Sequence, residues 1–209
     1  KMTPPPKAHL EEKASFALFH HPGLRAYWRA ELGEAIDERL LGIFPRTWIV
    51  DPRPAPWQST IADLSANGVP VHDWSQLEEL GKSERDYVLK PSGFSELAWG
   101  SRGVKVANDL TKEAWKAALR DAQTSFGKTP YVLQRFHKGR RVRVPFLSAS
   151  SGEIKEMDGR VRLCPYYFVV GDEARLGGIL ATVAPADKRL IHGMSDAIMA
   201  SCRIADDGF

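Results

Sequence analysis

Lys90 is the residue of this chain most plainly placed for chemistry. It ends the run Asp86-Tyr87-Val88-Leu89 and is followed by Pro91 and a loop of small residues: Ser92, Gly93, Ser95, Gly100, Ser101 and Gly103. Val104-Lys105-Val106 then resumes an extended pattern. An ammonium at a strand end supplies a full positive charge, and glycine and serine let backbone N–H groups come close to an anion. Together they suit the oxygens of a phosphate chain. An ordinary hairpin opening has the same composition, so the stretch alone leaves both readings open. It is not a P-loop, because the lysine precedes the loop instead of ending it, and it is not a dinucleotide fingerprint.

A second set is basic. Arg141 and Arg143 alternate along one β-type run, as do Arg160 and Arg162 along another, so each pair points to one sheet face. Four guanidiniums on two neighbouring strands can grip phosphate or carboxylate in bidentate fashion. The alternative is a solvated outer face with Val142, Val144, Val161 and Leu163 packed beneath it. His192 and Asp196 stand four apart, a spacing that suits a metal on a helix face and equally a turn cap. Tyr166, Tyr167 and Phe168 read as core.

The order of these features resembles the ATP-grasp superfamily. Its members carry a strand ending in Lys-Pro, a flexible small-residue loop, a helix, and a strand with Glu or Gln where two subdomains clamp ATP. Here that last strand is the YVLQRF of Tyr131–Phe136. Lys13, in LEEKASFALF, stands where glutathionylspermidine synthase-like and circularly permuted relatives place Asn-Lys before a helix. Ile43-Phe44-Pro45-Arg46-Thr47 is similar to their "iP.T" element, and Gly177-Gly178 with Thr182 to their "GG..T". The resemblance is to the C-terminal part of such ligases. It implies that Lys90 and Arg143 act on phosphoryl groups, and that Lys13, Ser92, Gly93, Ser95, Gly100, Ser101, Gly103 and Arg141 contact the nucleotide. Leu133 and Gln134 would meet adenine.

It further implies ATP and Mg²⁺ as cofactors and a small-molecule or peptide substrate, joined as a carboxylate to an amine through an acylphosphate. Magnesium needs hard oxygen ligands, in this family an acid followed by a Glu-x-Asn pair. The two asparagines, Asn67 and Asn108, do not follow a glutamate at that spacing. The metal ligands are therefore expected on an upstream region or a partner chain. The competing expectation is a non-catalytic domain that keeps the fold for a structural or interaction role.

Apolar spacing locates the elements that would position these groups. Leu10, Ala14, Ala17 and Leu18 predict a helix broken at Pro22-Gly23, followed by helices over 24–33 and 34–41. A strand over 47–50, a helix over 57–66 stopped by Asn67-Gly68, and a helix around 114–122 follow. Strands are expected at 131–136, 141–147, 161–170, 178–183, 190–192 and 198–204. Helices first and strands later predict an α+β protein. Its expected parts are a helical N-terminal segment (1–45), a mixed lid-like subdomain (46–130) and a β-rich antiparallel half (131–209). With 209 residues and 43% hydrophobic content it can bury a core. A net charge of +3 argues against a dedicated nucleic-acid surface. Two cysteines make neither a disulfide framework nor a metal cluster. No apolar run of about 18 residues predicts a membrane span, and a reducing cytoplasm is the expected compartment.

Overall fold

The computed structural model describes residues 11–54, 56, 58–92, 95–98, 100–188, 190–191 and 196–202. It divides into two compact units, Lys1–His137 and Lys138–Phe209.

The first unit begins with three short helices, α1 (Ala14–His20), α2 (Arg25–Leu32) and α3 (Glu34–Ile43). Gly33, at φ +78°, makes the sharp joint between α2 and α3. Arg25 of α2 reaches the buried Asp37 of α3, also donates to the Phe19 carbonyl at 3.0 Å, and lies over the Phe19 ring. After β1 (Thr47–Ile49), the expected helix over 57–66 does not form. Ser65–Ala66 (β2) and Val69–Pro70 (β3) pair as a hairpin instead. The reason lies in Asn67-Gly68: both residues have positive φ, 52° and 77°, which is the two-residue turn of a hairpin and not a helix cap.

β4 (Tyr87–Pro91), β5 (Lys105–Val106), α4 (Lys112–Thr124) and β6 (Tyr131–Arg135) complete the unit. The sheet order is β1-β6-β4-β5, with antiparallel neighbours throughout. Thus β6 is a central strand of this sheet and belongs with the first unit, ending two residues inside its boundary. Thr111 caps α4 by accepting from Ala114 N at 3.1 Å, and the helix buries Trp115, Ala118, Leu119 and Ala122.

The register assigns the two sheet faces. Thr47, Gln134 and Val88 lie in one row, and Ile49, Val132 and Lys90 in the next row but one, so all six share a face. The alternate residues Trp48, Val50, Tyr131, Leu133, Tyr87 and Leu89 join Trp115 and Leu119 in the main core. α1 packs on β1 and β6, yet none of its residues enters that core. The sheet therefore has α4 behind it and α1 on the face that carries Lys90.

In the second unit β7 (Arg141–Leu147), β8 (Ile154–Val170), β9 (Glu173–Pro185) and β10 (Ile198–Cys202) form an antiparallel sheet ordered β10-β9-β8-β7. β8 runs through Asp158-Gly159, which the sequence marks as a turn. Leu190 and Ile191 are not in a strand, and His192 lies outside the described residues. Tyr166, Tyr167 and Phe168, expected in a core, are 52%, 62% and 49% exposed. Their part of β8 pairs with β9 alone among the described residues, in a two-stranded extension beyond β7 and β10. α+β with N-terminal helices and antiparallel sheets describes the molecule. None of the described helices is long and apolar enough to cross a membrane.

Candidate anion-binding site

A chain of side-chain hydrogen bonds crosses three strands on the α1 face. Thr47 donates from Oγ1 to the Pro45 carbonyl at 2.8 Å. Gln134 donates from Nε2 to Thr47 Oγ1 at 2.8 Å, and its Oε1 accepts from Lys90 Nζ at 2.6 Å. The amide orientation is fixed at both ends, since Thr47 supplies an acceptor and the ammonium can only donate. Gln134 and Thr47 are buried, while Lys90 is half-buried.

The N-terminal segment brings a second cation to the same place. Lys13, directly before α1, donates to the Ala98 carbonyl at 2.9 Å. Its neighbour Glu12 accepts from Ser92 Oγ and from Ala14 N. Ser92 Oγ in turn accepts from Ala14 N at 3.0 Å, and Ser92 N donates to Pro130 O at 2.8 Å. Ser92, 1% exposed, is thus the clamp that ties residues 12–14 to the end of β4. Glu12 joins this cluster although the sequence offers no signal for it beyond its place beside Lys13.

Electrostatics follows from this geometry. Burial lowers the Lys90 pKa, and the positive charge of Lys13 lowers it further. The Lys13 pKa is also lowered by burial, against the opposing pull of Glu12 and Glu11. No carboxylate of the described residues contributes to Lys90. Its one described acceptor is a neutral amide, leaving two of three ammonium protons for another partner.

Residues 95–98 and 100–103 pack at this corner. Ser95 accepts from Leu97 N and Ala98 N, a short turn that presents the Ala98 carbonyl to Lys13. Gly100 and Ser101 both adopt left-handed backbone, at φ 61° and 60°. Gly103 is needed for close packing: a Cβ there would stand 2.5 Å from Pro91 Cγ and 2.9 Å from Leu97 O. Gly93 lies outside the described residues.

The remaining candidates have contacts of their own. Leu133 is fully buried in the main core, and its strand is paired on both edges, so its side chain is not available to a base. The side chain of Gln134 is engaged by Lys90 and Thr47. Arg141 and Arg143 belong to the second unit and are exposed. Arg141 pairs with Asp158, and Arg143 approaches Glu156 at 3.9 Å, so acids are interleaved with the arginines on that face. Arg160 donates to the carbonyls of Gly139 and Ala186. Among the described residues no three His, Cys, Asp or Glu side chains are grouped to hold a metal.

Compared with protein-family models, with curated proteins and with solved structures, the chain finds no match.

Proposed function

We propose that this chain binds the phosphate chain of ATP, as the nucleotide-binding part of an ATP-grasp-like carboxylate–amine ligase. The observation that carries the reading is the Lys90–Lys13 pair: two partly desolvated ammonium groups whose nearest polar partners include no carboxylate on Lys90. Two like charges brought together out of water are unfavourable unless an anion joins them. A polyphosphate supplies oxygens for both, and lysine serves as a compact charge for it.

Gln134 aims the Lys90 ammonium, Ser92 and Glu12 seat the segment that carries Lys13, and the Ala98 carbonyl holds the Lys13 ammonium. ATP, when bound, would supply the phosphoryl group that activates a carboxylate for attack by an amine. No described residue is assigned to Mg²⁺. An upstream region or partner chain is the proposed source of those ligands.

Thermal unfolding tests the binding. Mg-ATP at millimolar concentration is expected to raise the melting temperature of the native chain, and Lys90→Ala is expected to abolish the rise. An unchanged melting temperature would favour the non-catalytic structural reading. ADP release on adding carboxylate and amine mixtures separates a ligase from a domain that binds without turnover.

A further inference from the structure

The far end of β8 sets two exposed aromatic rings beside arginine. We propose that this face of the second unit binds a single-stranded nucleic acid, with bases stacked on Tyr166 and Phe168 and phosphates on the neighbouring guanidiniums. The inference uses the second unit alone and does not depend on the nucleotide reading.

Strand alternation puts Glu156, Asp158, Arg160, Arg162, Tyr166 and Phe168 on one face of β8. The register sets Arg141 opposite Arg160, Arg143 opposite Asp158, Arg175 opposite Phe168 and Glu173 opposite Val170. Tyr166 pairs with Gly178 and Tyr167 with Leu176, so the extra residue at that irregularity belongs to β9. β8 therefore keeps its alternation through both rings.

Two glycines lie beside those rings. A Cβ on Gly177 would stand 2.5 Å from Cδ2 and from Cε2 of Phe168, so this ring rests on bare backbone. A Cβ on Gly178, opposite Tyr166, would meet nothing within 4 Å among the described residues. The Phe168 ring is thus seated on the strand and still half exposed, as is Tyr166. The two are about 6.6 Å apart along β8, which gives each ring its own base. Every base has a π-face, and stacking on such rings is a main source of single-strand affinity.

Charge selects the polymer. Arg141 pairs with Asp158, Arg143 lies 3.9 Å from Glu156, and Arg175 pairs with Glu173 at 3.0 Å. These pairs are exposed, so exchanging a carboxylate for a phosphate costs little. Arg160 bonds two neutral carbonyls. Arg162, four residues before Tyr166, is exposed and has no ion-pair or hydrogen-bond partner among the described residues. Five arginines thus share this face with three carboxylates, although the whole chain is nearly balanced. An acidic peptide would leave the seated rings unused. Asp172 and Glu173, at the end of the hairpin, oppose an anionic membrane.

The test is fluorescence anisotropy of a labelled single strand of about ten nucleotides, titrated with the full chain. A dissociation constant below about 100 µM is expected at about 50 mM salt, weakening as salt rises to about 200 mM. Phe168→Leu and Tyr166→Leu should each weaken binding at least about fivefold, with circular dichroism unchanged. Arg162→Gln breaks no contact and should lower the salt dependence by about one phosphate contact. A duplex of the same sequence should bind at least about fivefold more weakly, because its base faces are stacked inside. Absence of binding at about 100 µM protein, equal affinity for duplex and single strand, or native affinity in both leucine variants would overturn the proposal. Tighter binding to phosphatidylserine vesicles than to the single strand would assign the face to a membrane and overturn it as well.

Discussion

A lysine held half out of water beside another ammonium costs the empty protein stability, and the cost has a definite pH dependence. The unfolded chain binds the Lys90 proton up to pH about 10.5, whereas the folded chain releases it at lower pH, because burial and Lys13 disfavour the charge. The folded state is therefore penalised below its lowered pKa and relieved as pH rises through it. Replacing Lys90 with Met should raise the melting temperature of the ligand-free protein at pH 7, and the gain should shrink as pH approaches 10. Phosphate binding has the opposite sign. An anion restores the lysine proton, so affinity for tripolyphosphate should fall as pH rises through the same window, which titration at pH 7 and pH 10 would show. Gln134→Leu is expected to weaken that affinity without removing a charge, since it frees the ammonium from its aim. Wild-type affinity in that variant would deny Gln134 its role.

Among the elements, the sheet stands between its core and its site, and mutations on the two faces should behave differently. Trp115 of α4 is fully buried and donates to the Leu77 carbonyl at 2.8 Å. Trp115→Ala should cost about 3–5 kcal/mol in denaturant unfolding. Asp37→Ala strands Arg25 on the α2–α3 pair and should cost about 3 kcal/mol. Gly103→Ala acts through the loop: its Cβ would strike Pro91 and Leu97, so it should weaken phosphate binding more than it lowers stability.

The lysine-bearing strand and its loop were legible because a β-type run, a charge and small residues are adjacent in sequence. The meeting of Lys13 with Lys90 was suggested by resemblance alone. It depends on Ser92 bonding Glu12 and Ala14 across the fold, which no local pattern encodes. The role expected of Leu133 overlooked that β6 is paired on both edges. The hairpin at 65–70 differs from the expected helix because Asn67-Gly68, which also suits a helix end, forms the two-residue turn between β2 and β3.

Over the whole molecule, the main core lies within the first unit, and the second is an extended antiparallel sheet. Phe136–Arg140 joins them outside any strand, with Lys138 and Arg140 exposed. Limited trypsin digestion should cut there first and leave a fragment ending near residue 138 or 140 that retains phosphate binding. A fragment that loses binding would place an essential group in the second unit, where Arg141 and Arg143 are the candidates.

The most direct measurement is calorimetric titration of Mg-ATP into the native chain and into Lys90→Met at pH 7. A dissociation constant below about 1 mM is expected for the native chain, weakened at least about tenfold (~1.4 kcal/mol) in the variant, with circular dichroism unchanged. Absence of binding heat at millimolar nucleotide, or equal affinity in the two proteins, would contradict a phosphate-binding role for Lys90.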